Sequence, residues 1–371
     1  METIARPGPA RLGTRLVGID VARAVALLGV ITMNYTEVFN SRYLATQGVG
    51  EGPHWLERLL APFEGPLTTR FAATFVTLAG IGVTLLTARA RRAGDREGIV
   101  ADRWRLRRRG VLLFAVGYVF ESLWPGQILS YYGAYLVLGS FLTTWRPRWL
   151  LAVAAAVTAA SLLLLWPHTS DHDWSWLLFV DSDSPRHVVF NTLLNGTHPV
   201  LPWLALFLVG MAVGHLDLGD GRVRARLAGV GVVALTLGYA VSAVLERTVE
   251  GRFSLVSSTR PFPYLPLYVV VAVGSSLLAI AVLVTLAERF RGSFVVHTLA
   301  LAGQMTLSIY LLHAFVAEGL VRLLDLDGRM GLVPALVVAL GFWIVAVPSA
   351  AWWRASLGIG PAERVYRAFG G

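Results

Sequence analysis

The sequence predicts an all-α, polytopic integral membrane protein of about ten transmembrane helices, with both termini in the cytoplasm. Three observations carry that expectation. Apolar runs recur along the 371-residue chain at close to the ~20 residues that match a bilayer core. Only 15% of the residues are charged, where a soluble domain carries about 25%, and the mean hydropathy is +0.61. Arginine falls almost entirely on alternate linkers.

The predicted spans are 16–36, 69–88, 110–124, 128–145, 149–166, 199–215, 227–246, 265–288, 299–321 and 331–353. The first run begins near Leu16, exceeds the length of a signal-peptide core and lacks a small-residue cleavage site, so it reads as the first membrane helix. A cytoplasmic N-terminus puts 22 of the 32 arginines inside and nine outside, with Arg23 within a span. The linker 89–109 alone carries nine, among them Arg107, Arg108 and Arg109. The loop 167–198 faces outward and is acidic, with Asp171, Asp173, Asp181 and Asp183. The last span returns Arg354, Arg364 and Arg367 to the cytoplasm. The expectation is one transmembrane domain over 1–371, with short tails 1–15 and 354–371, as a multi-pass protein of the cell membrane (plasma or bacterial inner). Three outer segments, 37–68, 167–198 and 247–264, are too long for simple turns and either cap an outward cavity or anchor at the interface. No internal repeat is visible, nor the matched pair of broken helices that marks inverted-repeat transporters.

Composition excludes several chemistries. There is no cysteine, hence no disulfide, thiolate metal site or cysteine nucleophile. All 32 cationic side chains are arginine, which excludes a Schiff-base or P-loop lysine. The net charge of +9 flanks the spans, as suits anionic lipid and not nucleic acid. His168, His172 and His187 lie near Asp171 and Asp173 in one solvated loop, too weak a pattern to predict a metal.

Ionisable groups within spans are costly and mark function by default. Asp20 and Arg23, at i and i+3 near the cytoplasmic end of the first helix, form either a neutralised structural pair or the polar mouth of a site for a charged cofactor. A second group gathers at outward depth: Asn34, Tyr35 and Glu37 end the first helix, and Arg70 opens the second. Glu121 ends the third, Gln127 opens the fourth, His198 opens the sixth, and His313 lies within the ninth. A histidine beside carboxylates serves as a general base near neutral pH, while an amide or arginine steadies an oxyanion. Each also has a plain role open to it. Arg70 can snorkel, Glu121 can cap, His54 can be solvated in its loop, and His198 and His313 can be packing residues.

Several motifs resemble one family in order along the chain. Leu16–Gly29, containing Ile19-Asp20-Val21-Ala22-Arg23, resembles the opening helix of transmembrane acyltransferases, the group that includes heparan-α-glucosaminide N-acetyltransferase, its bacterial relatives and YeiB-like membrane proteins. Phe71–Gly82, Ser130-Tyr131-Tyr132-Gly133, His198-Pro199-Val200-Leu201-Pro202-Trp203, Gly303–Tyr310 and Gly360–Arg367 are further similarities. Ala24 stands where the family has glycine, and Thr68, Thr69 and Arg70 stand where an aspartate opens the second helix.

The resemblance implies transfer of an acetyl or other short acyl group from cytoplasmic acetyl-CoA to an extracytoplasmic glycan or amino sugar, at an amine or hydroxyl. It implies catalytic roles for Asn34, of the Asn34-Tyr35 pair, and for His54, with His198 an equal candidate base and Glu121 a further catalytic candidate. It implies contacts to the acyl-CoA from Asp20, Arg23, Arg70, Arg107, Arg108, Arg109 and His313, and by analogy a homodimer. The competing class is a transporter or lipid flippase that uses the same outward cluster as a substrate or proton site. Because the chain lacks cysteine, single introduced thiols report topology alone. Ala93→Cys is expected to react with an impermeant maleimide only from the cytoplasmic side and Ser170→Cys only from outside; the reverse labelling overturns the orientation.

Overall fold

The computed structural model describes residues 16–47, 54–60, 65–165, 184–249, 256–261, 264–326 and 330–371. Among them the chain is helical: α1 (Val17–Gln47), α2 (His54–Leu60), α3 (Arg70–Leu86), α4 (Ala88–Ala93), α5 (Arg96–Phe120), α6 (Leu129–Leu142), α7 (Pro147–Leu165), α8 (Pro185–Phe190), α9 (Val200–Val213), α10 (Gly221–Thr248), α11 (Pro266–Arg289), α12 (Phe294–Ala302), α13 (Thr306–Leu324), α14 (Leu332–Ser356) and α15 (Pro361–Gly370). The protein is a polytopic all-α membrane protein.

Each predicted span coincides with helix, but the count changes. Among the described residues six helices are long and apolar enough to cross a membrane: α1, α7, α10, α11, α13 and α14; a bent pair ending in α9 makes seven. α3 and α6 are apolar but only 17 and 14 residues long. α5 is apolar only in its second half, since six arginines occupy the first. The ninth predicted span is interrupted. Gly303, Gln304 and Met305 part α12 from α13 because Gly303 packs onto α1, where an added Cβ would lie 1.9 Å from the Asp20 carbonyl oxygen.

Hydrocarbon offers no partner to a backbone N–H or C=O, so every break in a helix must be satisfied by protein. Asp95, Asp220 and Ser293 cap α5, α10 and α12, each accepting from a backbone N–H in the first turn. The bent pair is the severest case. α8 runs through a π-helical turn, Asn191–Asn195, and α9 leaves at 57° to it. The Gly196–Pro199 break frees carbonyls that two tyrosines recapture: Tyr264 donates to Thr197 O and Tyr135 to His198 O.

Close approach at small residues holds the helices together. α3 meets α9 at Gly80 and Gly210, where an added Cβ would sit 2.0 Å from Phe207 O and 2.0 Å from Thr77 O. Thr84 Oγ1 ties the same pair by donating to Met211 O at 2.8 Å. One apolar cluster runs from Leu27 of α1 to Ala350 of α14 through Val76, Leu113, Phe207, Tyr268 and Tyr310. Gly210→Ala is therefore expected to lower stability by about 1–3 kcal/mol, read from the thermal midpoint of detergent-solubilised protein. Gly229→Ala, with nothing within 4 Å of its Cβ inside α10, is expected to leave the midpoint unchanged or slightly raised.

Candidate functional site

Two cavities lie end to end through the bundle. The first, about 310 Å³, lies at the arginine-rich end, with Arg23, Arg109, Arg367, Gln304, Glu363 and Tyr366 among its lining and otherwise mostly aliphatic and aromatic walls. The second, about 210 Å³, lies at the opposite end and is lined by Asn34, Glu37, Thr68, Thr69, Trp124, Thr197, His198, Tyr264 and Glu318 among others. Val30, Ile128 and Tyr310 line both and form the septum between them. The Ile128 N–H donates to the Tyr310 hydroxyl at 3.1 Å, which locks the tyrosine across the boundary.

The arginine-rich mouth is built by the C-terminal helix. Glu363 of α15 accepts from the Leu307 and Ser308 N–H groups at 2.7 and 3.0 Å and from the Ser308 hydroxyl at 2.5 Å. A carboxylate on the first turn of α13 satisfies orphan donors and complements the helix dipole. Arg109 of α5 lies 4.9 Å from the Tyr366 ring, and Arg108 lies 5.6 Å from Phe369. Burial pushes the Tyr366 phenol above its ordinary range, with the guanidinium of Arg109 pulling the other way. Arg23 Nη1 lies 3.6 Å from Asp20 Oδ1, so the predicted pair forms and directs Arg23 to the cavity. Two buried polar atoms at this cavity, Tyr132 Oη and Arg109 Nε, have no hydrogen-bond partner among the described residues.

At the other end, the break before α9 delivers His198 to the cavity wall. His198 Nδ1 lies 3.0 Å from the Thr197 hydroxyl, which itself donates to Gly126 O at 3.3 Å, an arrangement that suits the tautomer with the proton on Nδ1. Nε2 then carries the lone pair. The ring is held edge-on to Trp203 at 4.5 Å. Asn34 Nδ2 lies 3.1 Å from Nε2 of His313, which is wholly buried.

Other predicted residues fall elsewhere. Arg70 lines neither cavity: its guanidinium donates to the carbonyls of Pro66, Tyr268 and Thr259 and stacks on Tyr268 at 5.0 Å. Arg107 donates to Ser140 Oγ at 3.0 Å and covers Phe141; of the three consecutive arginines only Arg109 reaches the cavity. His313 stands behind Asn34 and not at the arginine-rich end, and Glu121, the residue after α5, lines neither cavity. His54 opens α2, but its side chain lies outside the described residues, as does the loop with His168, His172 and four aspartates. No group of three metal-ligating side chains occurs among the described residues.

Residues 15–244 match the family described as the catalytic part of heparan-alpha-glucosaminide N-acetyltransferase. The chain belongs to that family. It is thereby a member of the transmembrane acyltransferase superfamily, consistent with a second match, over residues 218–370, to a family described as protein of unknown function DUF418. No curated protein matches the chain. Both cavities draw on both matched regions. In this acyltransferase-family chain the first region supplies Arg23, Asn34, Arg109 and His198, and the second supplies Gln304, Tyr310, Glu318 and Glu363. The motifs Gly303–Tyr310 and Gly360–Arg367 contain Gln304, Tyr310 and Glu363 without assigning them a place, and no motif signals Glu318. Glu363→Ala is expected to destabilise the protein by about 1–2 kcal/mol through loss of the α13 cap, with Glu363→Gln retaining part of it, as read by thermal unfolding.

Proposed function

We propose that the protein transfers an acetyl or other short acyl group from cytoplasmic acyl-CoA to an amine or hydroxyl of an extracytoplasmic glycan or amino sugar. The observation that carries this reading is the pair of cavities with a three-residue septum. Donor and acceptor enter from opposite sides, and the reacting atoms meet where Val30, Ile128 and Tyr310 part them.

The arginine-rich cavity suits the donor. Arg109 and Arg367 offer cations to phosphates at its mouth, with Arg23 deeper. The free donors of Tyr132 and Arg109 suit the amides of a pantetheine arm threaded between apolar walls. The opposite cavity suits the acceptor, with Nε2 of His198 as base. The nucleophile attacks the thioester carbonyl carbon as the C–S bond breaks. The proton it sheds passes to His198 and finally to the departing thiolate, so CoA leaves as a thiol. Holding both reactants in line supplies much of the rate. The bent α8–α9 pair favours one second reading, a transporter or flippase with its substrate at the break.

Acetyl-CoA binding and turnover by detergent-purified protein, wild type beside His54→Ala and His198→Ala, tests the reading. Saturable binding, with turnover lowered about 100-fold or more in His198→Ala, is the expected result. Arg109→Gln is expected to weaken CoA binding severalfold, with reduced salt dependence. Loss in His54→Ala alone moves the base to α2. Absence of CoA binding at millimolar concentration, with CoA-independent substrate flux in vesicles, overturns acyl transfer in favour of transport.

A further inference from the structure

Asn34 and His313 come from helices at opposite ends of the sequence, α1 and α13, and meet behind the wall of the acceptor cavity. His313 Nδ1 faces the carbonyl oxygen of Tyr310. A carbonyl only accepts, so Nδ1 carries the proton and Nε2 the lone pair. The group facing Nε2 at 3.1 Å is therefore a donor, the Asn34 amide. Three aromatic rings pack around the imidazole. Tyr35 stacks against it at 6.1 Å, Trp124 meets it edge-on at 5.1 Å, and Tyr310 lies 4.8 Å away. The Tyr35 hydroxyl also donates to the His313 carbonyl at 3.0 Å, pinning that turn of α13 to α1.

An amide has one acceptor end and one donor end. With the donor end held by His313, the acceptor end, Oδ1, is left without a protein partner among the described residues, on a side chain that lines the cavity. We propose that His313 is a positioning residue that fixes the rotamer and flip of Asn34, so that Oδ1 accepts a hydrogen bond from the N–H or O–H of the incoming nucleophile. Asn34 aligns the nucleophile's lone pair with the thioester carbonyl beyond the septum and takes no proton. His313 touches neither reactant. The charge that develops on the carbonyl oxygen falls to other donors, which is the opposite of a role for Asn34 as an oxyanion donor. This assignment rests on the acyl-transfer reading of the same cavities.

The test uses full-length protein in detergent with acetyl-CoA as donor and glucosamine as acceptor probe. The variants are His313→Ala, His313→Gln, Asn34→Ala and the double variant. His313→Ala is expected to lower kcat/KM for glucosamine about tenfold or more while the Kd for CoA stays within about twofold. His313→Gln, whose side-chain oxygen can face the Asn34 amide, is expected to recover most of the loss. In the Asn34→Ala background, removal of His313 is expected to cost less than about twofold. Full additivity of the two losses, or equal weakening of CoA binding, means that His313 only supports the fold and overturns the proposal. ¹⁵N NMR of histidine-labelled protein reads the geometry without activity: a protonated Nδ1 and bare Nε2 on His313, with Nε2 shifted by Asn34→Ala, are expected. The reverse tautomer overturns the proposal in an active or an inactive protein. A wild type that shows the expected tautomer but neither binds nor turns over acetyl-CoA overturns the acyl-transfer reading itself, and the catalytic role of Asn34 with it.

Discussion

A single carboxylate sets the depth of the functional helix. Glu363 takes the first free N–H groups of α13 and the Ser308 hydroxyl, so α13 starts where α15 allows it to start. Tyr310 and His313 lie one turn and two turns beyond that anchor. Tyr310 consequently crosses the boundary between the cavities, and His313 reaches Asn34. The same carboxylate draws α15 under the bundle, which completes the arginine-rich mouth with Tyr366 and Arg367. Orphan donors at a helix start in a low-dielectric setting make such a cap stronger than it would be in water.

The second constraint is the satisfaction of broken backbone. Among the described residues, the irregular segments before α9 and before α13 both adjoin the cavities. At each break the freed groups are met by side chains: tyrosines at Thr197 and His198, a glutamate at Leu307 and Ser308. A regular helix could not present Thr197 and His198 to one space with His198 Nε2 open, nor could it bring Gly303 onto the backbone of α1. Cavity and irregularity coincide because a continuous helix satisfies its own backbone and leaves only side chains to line a space.

Much of this was legible in the sequence. Among the described residues, apolar length located each helix long enough to cross a membrane, and the i, i+3 spacing of Asp20 and Arg23 gave their ion pair. Asn34, Arg23 and His198, which depth or family resemblance points to, and Arg109, which the arginine-rich linker points to, all line a cavity. Azimuth is what the sequence leaves open. Arg70 and His313 line neither cavity, because rotation about the helix axis turns Arg70 into backbone carbonyls and sets His313 behind Asn34. Arg107, Arg108 and Arg109 are adjacent and chemically identical, and only their azimuth on α5 separates the one in the cavity.

The sequence by itself determined the solvent, the helical class and the alternation of charge, because bilayer thickness and the cost of charge in hydrocarbon act on each segment independently. Only the tertiary structure decided which helices are long enough to cross, where α12 parts from α13, and which polar groups share a space. Those depend on close packing between segments hundreds of residues apart, such as Asn34 with His313 and Arg109 with Tyr366, and no local property of either segment encodes the partner it will meet.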